Sequence, residues 1–147
     1  AMPPGQFMRR LILILLLGTI EQCYAGTFDL DTIDNWQIYN GDVLVLAGHE
    51  SIQERTYLGT IKRTDLKDLG ILFNHCVRNI DDSDVTIEIT DDKGRSILIK
   101  TFRVNLGTRM IINKIELGPL KTKTITIRYR EKRANGTDKI LGRISFV

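Results

Sequence analysis

A chain of 147 residues, 42% hydrophobic and 27% charged with a formal net charge of +3, has the usage of an ordinary globular protein and room for one domain. That balance excludes a disordered or low-complexity chain. The slight basic excess falls short of the concentrated basic face that nucleic acid requires, so no nucleic-acid partner is expected.

The first element is a signal. In "MRRLILILLLGTIEQCYA", residues 8–25, Arg9 and Arg10 form a basic n-region, Leu11 to Ile20 an apolar h-region, and Cys23-Tyr24-Ala25 a cleavage site of the A-x-A kind. About ten apolar residues are too few for a bilayer, which needs about 20, so no membrane span is expected. Met8 reads as the translation start, with residues 1–7 an upstream extension. Cys23 follows Glu21-Gln22, which argues against a lipid-modified cysteine. The expected organisation is an N-terminal extension and cleavable signal-peptide helix over 1–25, then a single β-sandwich domain over 26–147, secreted or periplasmic after cleavage near Ala25. The processed chain keeps only Cys76, which leaves it without an internal disulfide.

The rest alternates with period two. "NWQIYNGDVLVLAG" (35–48) places Asn40-Gly41 between two apolar runs, a hairpin signal. "TYLGTIK" (56–62) reads as a strand. "TDLKDLG" (64–70) reads as one helical turn, capped by Thr64 and stopped by Gly70. "GILFNHCVR" (70–78) is a strand whose phase turns Ile71, Phe73, His75 and Val77 inward, and Leu72, Asn74, Cys76 and Arg78 outward. "VTIEIT" (85–90) and "RSILIKTFRV" (95–104) flank the turn Asp91-Asp92-Lys93-Gly94. "TRMIINKIEL" (109–117) reads as a strand, and "LGPLK" (117–121) as a tight connection. "TITIRYR" (124–130) turns Ile125, Ile127 and Tyr129 to one side. It joins "KILGRISFV" (139–147) through a loop holding Asn135-Gly136.

About 7–9 such strands with turn signals every 8–15 residues or so predict an all-β fold, an antiparallel β-sandwich. The pattern resembles immunoglobulin-like and fibronectin-like sandwiches in architecture alone. The paired cysteines of antibody domains are absent, Trp36 lies on the first strand, and Tyr129 falls late in its strand. Architecture by itself carries no function.

Three groups could carry chemistry. His75-Cys76 is the only contiguous His–Cys pair, but neighbours on a strand point to opposite faces and cannot form a thiolate–imidazolium dyad. A small cysteine hydrolase using Cys76 would need His49, or His75 in another arrangement, and no motif supplies an orienting carboxylate. The acidic loops "NIDDSD" (79–84) and "TDDKG" (90–94), with "DLDTID" (29–34), offer Asp81, Asp82, Asp84, Asp91, Asp92, Asp29, Asp31 and Asp34. These suit calcium chemically, and with Trp36 or Tyr39 exposed they suggest a calcium-assisted carbohydrate-binding module. Their plainer role is turn chemistry, and no metal or cofactor is expected. The third group is basic. Lys123, Arg128 and Arg130 crowd "KTKTITIRYREKR", and Lys139 and Arg143 return on the neighbouring strand as one positive strip. The expected function is that of a non-catalytic binding or structural module. Its basic sheet face (Lys123, Arg128, Arg130, Arg143) or an edge strand meets a protein, glycan or other polyanionic partner.

Overall fold

The computed structural model describes residues 34–50, 55–75, 83–105, 107–133 and 135–147. The expected signal over 1–25, Cys76 and the loop aspartates Asp29, Asp31, Asp81 and Asp82 lie outside the described residues. Among those described are nine strands: β1 (Asn35–Asn40), β2 (Val43–His49), β3 (Leu58–Ile61), β4 (Leu69–Asn74), β5 (Ser83–Thr90), β6 (Ser96–Val104), β7 (Met110–Ile112), β8 (Thr124–Glu131) and β9 (Asp138–Phe146). They form a β-sandwich-like pair of sheets, with orders β2-β1-β4-β7 and β3-β9-β8-β5-β6.

The hairpins form where turn chemistry places them. Gly41, at φ 60°, begins the two-residue turn between Asn40 and its partner Val43, a conformation open to glycine. Asn135, at φ 59°, turns the chain between β8 and β9. Alternation then drives one face of each sheet inward. Ile38, Ile71, Ile87, Ile127 and Leu141 are fully buried, each worth about 1.5–3 kcal/mol of apolar transfer.

Three expectations are corrected. The sheets are not wholly antiparallel: β3 runs parallel to β9, with Leu58 opposite Arg143 and Ile61 opposite Phe146. The chain crosses from one sheet at β2 to the other at β3, so β3 reaches β9 without hairpin geometry. The turn at 64–70 is a 3-10 turn over Arg63–Asp65, not capped by Thr64 or stopped by Gly70. Leu66 and Leu69 are buried, and Leu69-Gly70 already belong to β4, so burial outweighs local helical preference. The run 109–117 holds only a three-residue strand. Asn113 then opens a short helix, α1 (Lys114–Leu117), where the Asn113 N–H donates to the Glu116 carboxylate at 2.8 Å and Gly118 at φ 61° ends it.

Register irregularities matter for the rest. In β9, Gly142 faces Ile127 and Ile140 faces Arg128, so Leu141 is an extra residue, a bulge. β2 carries another at Val45, and β6 a third at Ile97.

Candidate functional site

The outer face of the five-stranded sheet carries most of the expected basic residues. Buried Ile125, Ile127 and Tyr129 turn Arg128 and Arg130 outward on β8. Across the sheet, Arg128 faces Ile140 of β9 on one side and Glu88 of β5 on the other, and Glu88 faces Ile99 of β6. Arg130 faces Asp138, and Arg143 lies between Thr126 and Leu58. The strip is less positive than its sequence suggests. Asp138 accepts from Arg128 Nε at 2.7 Å and from Arg130 Nε at 3.2 Å. The Arg128 hydrogen bond above all holds the Asp138 carboxyl below the usual carboxylate range. Lys123 precedes β8 and lies about 20 Å along the strand from Arg130, so it stands apart from the arginine pair. Lys139 is not on the strip at all. The Leu141 bulge reverses the phase of β9, which turns Lys139 inward and leaves Ile140 48% exposed on the outer face.

Lys139 instead closes one end of an aromatic column. Its Nζ lies 5.3 Å from the Trp36 ring centroid and 5.8 Å from that of Phe73, and it pairs with Glu50 at 3.2 Å. Phe73 stacks on Tyr129 at 4.1 Å and on Trp36 at 5.8 Å, and Tyr57 meets Trp36 edge-on at 5.5 Å. Trp36 is buried at 4% exposure, which removes it as an exposed sugar-stacking aromatic. Tyr39 is half-buried beneath Arg109, whose guanidinium lies 4.0 Å above the ring.

His75 turns inward, as its phase requires, and meets a set of partners that the sequence did not group. Nε2 lies 2.6 Å from Glu131 Oε1, and Nδ1 lies 3.4 Å from Asp34 Oδ2. Glu131, with a fully buried side chain, also accepts from the Tyr129 hydroxyl at 3.3 Å and from Arg133 Nε at 2.6 Å. Burial, with the Glu131 charge adding to it, raises the Tyr129 hydroxyl well above the usual phenol range. Beside this clasp is a cavity of about 10 Å³, lined by Phe73, His75, Met110 and Tyr129 among others. Its volume is that of a single water.

The acidic loop at 91–94 is engaged from within. Asp91 accepts from the Lys93 and Arg95 backbone N–H groups at 2.9 and 2.8 Å, and from Arg95 Nε at 2.8 Å. The Arg95 backbone bond leads in pulling the Asp91 carboxyl below its ordinary value. Among the described residues no group of three or more His, Cys, Asp or Glu side chains is arranged to hold a metal ion. Asp34, at the far end of the sandwich, belongs to the His75 clasp.

The sheet edges are guarded. β2 is bulged, and β3 and β7 are short. On β6, Lys100 Nζ donates to the Ile111 carbonyl at 3.3 Å and to Glu116 of α1 at 2.8 Å. Such features oppose strand addition. Among the described residues, open clefts include one of about 580 Å³ between β2 and β3, lined in part by Val43, Leu44 and Thr60, and one of about 410 Å³ between 91–97 and 117–122. Among the described residues no helix is long and apolar enough to cross a membrane. No protein-family model and no curated protein sequence matches the chain.

Proposed function

We propose that the chain is an exported, non-catalytic binding module that meets a protein partner through the outer face of its five-stranded sheet. The observation that carries the reading is the composition of that face. Leu58, Ile99 and Ile140 are 72%, 63% and 48% exposed, interspersed with Arg128, Arg130 and Arg143. Exposed apolar side chains set among arginines suit a protein interface. A polyanion is the weaker partner, because Asp138 and Glu88 offset the arginines. The guarded edges favour the face over strand addition.

The arrangement supports an immunoglobulin-like reading of the sandwich. The order β9-β8-β5-β6 follows the G-F-C-C′ sheet of a variable-type domain, and β4-β7 follows the B-E pair of the opposite sheet. On this mapping the Phe73–Tyr129 stack joins the B-like and F-like strands, where antibody domains carry their disulfide. A sandwich stapled by aromatics needs no cystine, which fits export with Cys76 as the one cysteine left after the signal. The Leu11–Ile20 h-region supports export itself.

The test places a photo-crosslinking residue at Ile99, at Ile140 and, as control, at Gln37 on the opposite sheet, in the full chain within the medium or envelope of producing cells. Adducts of defined mass from Ile99 and Ile140 but not from Gln37 are expected. Equal labelling from all three positions, or none from the first two, refutes the face.

A further inference from the structure

Register orders one row of the outer face across four strands: Ile140 on β9, Arg128 on β8, Glu88 on β5, Ile99 on β6. The chemistry runs apolar, positive, negative, apolar. Neighbouring strands lie about 4.8 Å apart, so the row spans roughly 14 Å of the outer face. Both isoleucines are about half exposed or more, at 48% and 63%, and the Arg128 side chain is 44% exposed.

Such a row is complementary to itself. Consider a two-fold axis parallel to the strands, lying just outside this face in the plane between two copies and midway between β8 and β5. Rotation about it brings β9 over the second copy's β6, and β8 over its β5. Each Ile140 then covers an Ile99, and each Arg128 faces a Glu88, every contact occurring twice as an isologous interface demands. The flanking rows do not oppose this. Thr126 meets Thr90 on one side, and Arg130 meets Thr86 on the other, so no like charges collide. Asp138 occupies the Arg128 Nε–H, and the guanidinium fork carries further N–H donors for a facing carboxylate.

We infer that the partner on this face is a second copy of the chain, docked sheet to sheet about that axis with Arg128 of each copy against Glu88 of the other. This rests on the outer face being the binding face. Aligned sheets pack at about 30°, so contact is centred on this row and fades toward the ends. The footprint is roughly 20 Å on a side, small for a stable interface. A weak dimer in concentration-dependent exchange with monomer is therefore expected.

The test is sedimentation velocity on the full chain over a concentration series, with thermal melts confirming the fold of each variant. Wild type shifts from monomer to dimer as concentration rises. R128E places two carboxylates against each other at both contacts, and E88R places two cations there. Each alone is expected to stay monomeric. Mixing the two variants restores both contacts at once in a heterodimer, so the mixture regains the dimer that neither forms alone. A wild type that stays monomeric up to its solubility limit sinks the inference. So does a mixture no more dimeric than its parts. If the chain is monomeric while Ile99 still crosslinks to a different protein, the face stands and the second copy falls. If neither is seen, both readings fail.

Discussion

The indole Nε1 of Trp36 donates to the main-chain carbonyl of Leu141 across the core, at 2.7 Å. That carbonyl is available because Leu141 is the bulge residue of β9, lifted out of the ladder between Gly142 and Ile140. The indole in turn lies against Gly48, where an added Cβ would come within 2.5 Å of the ring. Bulge, glycine and tryptophan therefore form one unit. W36F leaves the Leu141 carbonyl buried without its donor, which costs about 1–3 kcal/mol beyond the lost packing. G48A overfills the same space, with an expected loss of about 1–3 kcal/mol. Urea denaturation checks both. The double variant is expected to lose less than the two summed, since a smaller ring makes room for the methyl group. Strict additivity would show that the two residues do not share this space.

Much of the sandwich is legible from sequence because its signals are local. Asn40-Gly41 and Asn135-Gly136 set their turns through backbone conformations that few residues adopt, and the phase of Ile71, Phe73 and His75 follows from period two. The same period turns Arg128 and Arg130 to the wet face. The rest depends on register, which no local pattern shows. One extra residue at Leu141 reverses the phase below it, so Lys139 moves from the expected strip to the core and Asp138 comes to offset the arginines. The His75 clasp gathers Asp34, Glu131 and Arg133 from distant parts of the chain. The helix at Lys114–Leu117 did leave a signal, Asn113-x-x-Glu116 with Gly118 beyond, which the apolar run before it obscured.

Glu131 is the centre of that clasp, with His75, Tyr129 and Arg133 all directed at its buried carboxylate. E131A removes the fully buried acceptor shared by His75, Tyr129 and the half-exposed Arg133, and leaving buried donors without it is expected to cost about 1–3 kcal/mol. Y129F removes one neutral donor and is expected to cost about 1 kcal/mol. Chemical denaturation of the two variants separates these magnitudes. An E131A loss no greater than that of Y129F would mean the clasp contributes no more than a single ordinary hydrogen bond.

Among the described residues, three carboxyls contribute to the acid limb of stability. Asp138 is held low chiefly by the Arg128 hydrogen bond, Glu116 by that from Lys100, and Asp91 by the Arg95 backbone N–H. Each has a folded pKa below its unfolded value of about 4. Their contribution is therefore complete above that value and is lost as the pH falls through the folded pKa, when protons bind the unfolded chain first. The urea midpoint is expected to hold down to about pH 5 and to decline below about pH 4. D138N should start lower at pH 6 and decline less between pH 5 and 3. Added salt should shrink the difference, because this pair is exposed. Parallel pH profiles for D138N and wild type would show that Asp138 has no share in the acid limb.

Lys139 has a carboxylate partner in Glu50 and two aromatic faces in Trp36 and Phe73. The Glu50 side chain is 59% exposed and that of Lys139 only 18%. An ion pair with one partner in water contributes little, whereas a largely desolvated ammonium over aromatic faces contributes about 0.5–2 kcal/mol. E50Q is therefore expected to change stability by less than about 0.5 kcal/mol. K139M keeps the alkyl stem against Trp36 but removes the charge, and should cost about 0.5–2 kcal/mol. The two variants, measured side by side in urea, rank the contacts. If E50Q proves the more damaging, the ammonium is held at this end of the core by its carboxylate. The inward turn of Lys139 would then depend on the ion pair rather than on the aromatic column that the Leu141 bulge brings it to face.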